Sequence, residues 1–150
     1  MEKRITKGCP QGSCCGPGLW KIQYNPILNL RYTKRTKIIA FADDLVLMVE
    51  AESIGEAENF ANIELNKIEK WATENKIKFN EKSKVMLMTR RKRKERKEIA
   101  IYLNNRQIPQ VQTLKYLGMI FDRKLTFKEH TNYVTNKCIK LILRWLNQQN

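Results

Sequence analysis

Residues Ile38 to Val49 read Ile-Ile-Ala-Phe-Ala-Asp-Asp-Leu-Val-Leu-Met-Val. Two adjacent carboxylates, Asp43 and Asp44, stand between two apolar runs. Neither run alternates, so each reads as a strand buried on both faces. The simplest geometry is a tight hairpin with the Asp pair at its tip. Unpaired carboxylates inside a sheet cost several kcal/mol or shift their pKa. A divalent cation at the tip removes the conflict, because Mg²⁺ takes carboxylate oxygens and keeps positions open for substrate phosphates. Such a tip implies metal-dependent phosphoryl or nucleotidyl transfer. An ordinary turn fits the same stretch, since Asp caps its own backbone in turns. The stretch alone does not choose between them.

Charge narrows the choice. The 150 residues carry 29 Lys and Arg against 15 Asp and Glu, a formal net charge of +14. A balance this basic implies a polyanionic partner, nucleic acid first and an anionic membrane surface second. No apolar run approaches the ~20 residues of a membrane span. The N-terminus has no signal-peptide apolar core, so a nuclear or cytoplasmic protein is expected, not a secreted one. Cys9, Cys14, Cys15 and Cys138 form no Cys-x-x-Cys pair and are expected as reduced thiols. The single His130 offers no metal cluster and reads as structural or surface.

Along the chain, Lys7 to Trp20 is rich in Gly and Pro, a loop where backbone can approach a ligand. Ser13 is placed to cap a helix running through Leu19 and Trp20 toward Leu30. The loop is not a phosphate-binding Walker loop, because no Gly-Lys-Ser/Thr ends it. Ser53 and Glu56 form a capping box for a long amphipathic helix over Glu52–Glu74. Its stripe is Ala57, Ala61, Leu65, Ile68 and Ala72, with Phe60 and Trp71 alongside. Short strands are expected at Ile77–Phe79, Val85–Thr89 and Ile99–Leu103, with a return over Arg106–Ile108. Another is expected at Leu114–Phe121, where Gly118 marks a bulge or close approach. Arg90, Arg91, Lys92, Arg93 and Lys94 begin a run of seven basic residues and one acid ending at Lys97. That run is a solvated turn, a contact to a phosphate backbone or a nuclear-localisation patch. Thr126 and Glu129 form a second capping box, before an apolar helical face of Tyr133, Val134, Cys138, Leu141, Ile142 and Trp145.

Four landmarks occur in order. They are Gly8-Cys9-Pro10-Gln11-Gly12-Ser13; Phe41-Ala42-Asp43-Asp44; the helix with Trp71 leading into Asn80-Glu81-Lys82-Ser83-Lys84; and Leu114-Lys115-Tyr116-Leu117-Gly118, with Asp122 and His130 beyond. Together they resemble the reverse transcriptase domain of non-LTR, LINE-type retrotransposons, and the first wording looks most like the insect R1-type branch. The resemblance implies an α+β fold, part of a right-hand polymerase palm: an antiparallel sheet backed by helices. It implies palm over residues 1–125 and the start of the thumb over 126–150.

The resemblance also implies roles. Asp43 and Asp44 match the catalytic, metal-binding pair, with Mg²⁺ or Mn²⁺ as cofactor. Pro10, Gln11, Gly12 and Ser13 match the loop that lies against template and incoming nucleotide. Lys82 or Lys84 falls where a basic residue approaches the triphosphate. Tyr116, Leu117 and Gly118 match the primer-grip region. The implied partners are an RNA template, a DNA primer and deoxynucleotide triphosphates, with no membrane. Family members carry a further metal-binding Asp on a strand well upstream of the Gly-rich loop, whereas Glu2 is the only acid before Gly8. The chain by itself is therefore expected to be inactive or nearly so, and poorly soluble because a sheet edge is left unpaired. The alternative is a basic, non-catalytic nucleic-acid-binding remnant of a degenerate element.

Overall fold

The Asp-Asp segment folds as a hairpin, β1 (Thr36–Phe41) against β2 (Asp44–Val49), in the computed structural model. The structure describes residues 12–80, 82–89 and 98–148. Phe41 stands opposite Asp44, so Ala42 and Asp43 are the two-residue loop. The pairs Ile38–Leu47 and Ala40–Leu45 share one face, and that face packs on the core. The pairs Ile39–Val46 and Phe41–Asp44 share the other. The expectation of burial on both faces is corrected here, because Ile39 is 47% and Phe41 61% exposed. In this two-stranded sheet, helix and aromatic residues cover only the inner face.

The chain divides into two units. Unit 1 is Met1–Ser83 with Ile99–Ile108, and unit 2 is Lys84–Glu98 with Pro109–Asn150. In unit 1, α1 (Gly16–Tyr24) passes into a 3₁₀ helix over Asn25–Asn29. One continuous helix to Leu30 is therefore corrected: Pro26 has no N–H to give the α-helical ladder. The N-cap is Cys15, not Ser13, although the Ser13 hydroxyl accepts the Gly16 N–H at 3.0 Å.

Helix α2 (Ile54–Glu74) begins where Ser53 Oγ accepts the Glu56 N–H at 3.1 Å. The Glu56 carboxylate reaches back to the Glu52 N–H at 2.8 Å, so the helix starts two residues later than expected. It ends with Lys76 at φ 56°; the Lys76 N–H bonds Thr73 O and the Ile77 N–H bonds Ala72 O. That double bond is the Schellman ending, which satisfies the last free carbonyls. Its left-handed turn drops Ile77 onto the core, and Ile77–Phe79 forms no strand. The core cluster is Tyr24, Ile27, Ile68, Trp71 and Ala72.

Glu64 is fully buried on the same side of α2. Its carboxylate accepts the Thr33 N–H and the Lys67 ammonium, each at 2.8 Å, and Lys67 also donates to Arg31 O at 2.8 Å. A buried charge persists only when paired and hydrogen-bonded. These bonds fasten the connector before β1 to the helix behind it. Tyr32 donates to Ile27 O at 2.6 Å, and burial, then Glu64, then Tyr24 push its phenol pKa up.

Beside α2, β3 (Tyr102–Leu103) pairs with β4 (Arg106–Gln107) around Asn104 and Asn105, both at positive φ. The longer strand expected at Ile99–Leu103 is shortened because α2 side chains take its ladder bonds. Glu58 accepts the Ala100 N–H at 2.7 Å, and Asn62 bonds Ala100 O and the Tyr102 N–H at 2.9 Å each.

Unit 2 corrects two expectations more sharply. Leu114–Phe121 is not one strand with a bulge but a hairpin, β5 (Thr113–Tyr116) and β6 (Met119–Asp122). Leu117 and Gly118, at φ 46° and 85°, make its loop. Val85–Thr89 supplies only a single parallel bridge, Val85 to Gln110. The Thr126–Glu129 capping box does not form; α3 (Lys128–Asn147) starts after Phe127 at φ 57°. Asp122 instead ties up the segment before the helix, accepting N–H bonds from Lys124, Thr126 and Phe127 and the Thr126 hydroxyl at 2.7–3.1 Å. A short charged acceptor that satisfies three free N–H groups outcompetes the reach of Glu129. His130, expected to be structural or surface, is half-buried, its Nδ1 accepting the Ile120 N–H at 3.4 Å. The described residues of α3 include no buried one, and Ile142 and Trp145 are each 57% exposed.

Ile68 is 1% exposed, so Ile68→Ala should cost about 2–5 kcal/mol in urea unfolding of the chain. Burial raises the Asp122 pKa, but the Thr126, Phe127 and Lys124 amides and the Thr126 hydroxyl outweigh it and hold the carboxyl below its ordinary value. A depressed folded pKa gives stability that is present above the unfolded value of about 4 and is lost as pH falls through the folded value. Asp122→Asn should therefore lower the melting temperature at neutral pH and flatten its fall below about pH 4, read by circular dichroism.

Candidate functional site

The two carboxylates sit where the hairpin reverses. Asp43 is the second loop residue and Asp44 the first residue of β2, and both are exposed. Among the described residues, neither carboxylate is held by a hydrogen bond or an ion pair. Asp44 points to the face shared by Phe41, Ile39 and Val46, because directly opposed residues of an antiparallel pair lie on one side.

Beneath the loop lies an aromatic column. Trp20 and Tyr24, one turn apart on α1, stack at 4.9 Å and 19°. Tyr24 meets Trp71 of α2 edge-on at 5.9 Å. Trp20 donates its indole N–H to Ala42 O at 2.9 Å. The Tyr24 hydroxyl is buried with no hydrogen-bond partner, and its pKa is pushed up to about 12, first by burial and then by Asp43 and Asp44. The carboxylates thus lie close enough for their charge to be felt inside the column. Trp20 was expected in this helix, but neither Trp20 nor Tyr24 was expected to take part in the site. Their i, i+4 spacing on a helix entering the Asp-Asp hairpin is the signal that points to them.

The other sequence-expected residues divide between the units. Gly12, Ser13 and Lys82 belong to unit 1 with the Asp pair; Lys84, Tyr116, Leu117 and Gly118 belong to unit 2. Lys82 and Lys84 are both exposed, and the Lys82 N–H bonds Asn80 Oδ1 at 3.1 Å. Tyr116 ends β5, with its hydroxyl buried and unpartnered, and Leu117 and Gly118 form the hairpin loop. Pro10, Gln11 and the Arg90, Arg91, Lys92, Arg93 and Lys94 run lie outside the described residues.

The donor chemistry suits a hard divalent ion. Mg²⁺ is commonly held by one or two carboxylates, with water and phosphate oxygens completing the shell. Two exposed, unpaired carboxylates supply that minimum. Among the described residues, no group of three or more His, Cys, Asp or Glu side chains gathers to hold a metal. No helix among them is long and apolar enough to cross a membrane.

Comparison with known proteins places the chain in a family. Residues 1–121 match the family described as reverse transcriptase (RNA-dependent DNA polymerase), and the chain belongs to that family. It is similar to the retrovirus-related Pol polyprotein from type-1 retrotransposable element R1 of Bradysia coprophila, 26% identical over 142 residues. That match covers 95% of this chain and 14% of the polyprotein. The R1 polyprotein of Nasonia vitripennis is 27% identical over 139 residues, covering 90% of this chain and 41% of that protein. The RNA-directed DNA polymerase from mobile element jockey of Drosophila melanogaster is 30% identical over 135 residues, covering 85% and 14% respectively. The chain thus spans between 14% and 41% of the length of these relatives. No solved structure matches it.

The orphaned Tyr24 hydroxyl yields a stability prediction. Tyr24→Phe removes an unsatisfied buried polar group and keeps the ring, so it should stabilise the chain by about 1 kcal/mol in urea unfolding. A loss of stability would mean that the hydroxyl is bonded in solution.

Proposed function

We propose that this chain is the part of a retrotransposon reverse transcriptase that carries the Asp-Asp metal turn of RNA-templated DNA synthesis. One observation carries the reading: the hairpin register sets two unpaired, exposed carboxylates at the end of a packed sheet, in a chain of net charge +14. Asp43 and Asp44 hold Mg²⁺ or Mn²⁺. Such an ion, when bound, offsets the charge that builds on the attacking and leaving oxygens of an in-line displacement.

The chain's own residues bind and orient. Pro10, Gln11, Gly12 and Ser13 lie against template and incoming deoxynucleotide triphosphate. Lys82 or Lys84 neutralises the triphosphate. Tyr116, Leu117 and Gly118, at the β5–β6 hairpin loop, hold the primer strand. The Arg90–Lys94 run meets the nucleic-acid backbone, and most of the affinity comes from phosphate contacts. Residues 1–125 belong to the palm, and the thumb begins at 126. The protein works in the nucleus or cytoplasm.

A second reading is favoured by the small donor set. Two ions in a polymerase site need more carboxylates than one turn supplies. The 150 residues by themselves then bind nucleic acid and extend no primer, either as part of a longer enzyme or as a non-catalytic remnant.

Binding of an RNA–DNA template–primer should weaken by about a thousandfold between 50 and 200 mM salt if roughly six phosphates are contacted, measured by fluorescence anisotropy. Mn²⁺ should tighten that binding, and Asp43→Ala should abolish the gain; an unchanged gain favours the remnant. RNA-templated primer extension by the chain alone should be absent. Extension that vanishes in Asp43→Asn would overturn the expected inactivity and place the chemistry within these residues.

A further inference from the structure

We propose that Trp20 is a positioning residue for the Asp43–Asp44 turn, acting through its indole N–H on the carbonyl of Ala42. The inference rests on the reading that these carboxylates hold a divalent ion, and it adds the device that aims them.

Three observations carry it. Ala42 sits at φ 54°, at the first position of a two-residue hairpin loop, where glycine is the usual residue. A left-handed conformation costs an L-residue about 1–2 kcal/mol and persists only where its surroundings fix it. The 2.9 Å bond from Trp20 is the one side-chain bond seen on the loop backbone among the described residues. Second, the bonded carbonyl and the Asp43 N–H belong to one planar peptide unit. Holding that oxygen therefore sets the plane from which Asp43 departs and the direction in which Asp44 follows.

Third, the donor is itself fixed. Trp20 stacks on Tyr24, and Tyr24 packs against Trp71, which is 6% exposed on α2. The indole thus loses little rotamer freedom on making its bond, so most of the bond's strength reaches the loop. Trp20 also stands on the helix that begins immediately after the Gly12–Cys15 loop. One short rigid element therefore joins the Gly-rich loop to the carboxylate turn.

The test uses the full chain and two replacements of Trp20. One is the isostere 3-benzothienylalanine, which puts sulfur in place of the indole N–H and keeps the bicyclic stack. The other is Trp20→Phe. Amide hydrogen exchange at residues 42–45 should rise about fivefold in both, as expected for one ordinary hydrogen bond, while exchange in α2 stays unchanged. The Mn²⁺ dissociation constant, read by electron paramagnetic resonance, should rise by a similar factor. Unchanged exchange in the isostere overturns the proposal. Faster exchange with unchanged Mn²⁺ affinity also overturns it, because the turn would then loosen without misaiming its carboxylates. Asp43→Asn and Asp44→Asn separate the two layers. If wild-type Mn²⁺ binding survives both, the metal-holding reading fails, and exchange alone decides whether Trp20 sets the turn.

Discussion

The constraint that organises unit 1 is burial of one face of the Asp-Asp hairpin. Ile38, Ala40, Leu45 and Leu47 pack with Ile68 and Trp71 of α2, and side chains alternate along a strand. A register slip of one residue in either strand would turn that strand's two core residues to solvent. The register therefore leaves a fixed two-residue loop and delivers Asp43 and Asp44 to the end of the sheet. Adjacent charges that cannot be buried without a partner are kept at the rim by the same packing that buries their neighbours.

Polar groups support this core where apolar ones cannot. The stretch between the 3₁₀ helix and β1 has no ladder of its own, and the Glu64–Lys67 pair supplies bonds to its Thr33 N–H and Arg31 O. Glu58 and Asn62 do the same for Ala100 and Tyr102. Helix α2 is thus more than a covering layer. Its apolar stripe seats the hairpin, and its polar flank bonds the two irregular segments that border it. Glu64 is fully buried and Lys67 is its half-exposed partner, so removing Lys67 leaves a buried carboxylate without its counter-charge, which makes the pair structural rather than catalytic.

Elements announced by local chemistry were legible in the sequence. The Ser53 cap, the stripe from Ala57 to Ala72 and the Asp-Asp hairpin each follow from a short pattern, and each is present. Elements decided by competition were not. Leu114–Phe121 reads as one apolar strand, yet Gly118 gives a left-handed loop that folds it in two. Thr126–Glu129 matches a capping box, yet Asp122, several residues earlier, takes both the N–H and the hydroxyl of Thr126. The non-alternating run at Ile38–Phe41 was read as doubly buried, but its outer face lies exposed in unit 1. Nothing in the sequence marks Glu64 for burial, since only the connector lying against it reveals it. At the candidate site, the carboxylates were legible from their apolar frame. The Trp20–Ala42 bond was not, because it joins residues 22 apart whose pairing depends on how α1 docks.

The most direct test of the central claim is the position at which a paramagnetic ion settles on the chain. In a ¹⁵N-labelled sample titrated with substoichiometric Mn²⁺, the amide signals of Phe41 to Leu45 should broaden first, with little effect at the Glu52 and Glu56 carboxylates. Broadening that begins at those glutamates, or spreads evenly over the acidic surface, would contradict the assignment of Asp43 and Asp44 as the metal-holding turn.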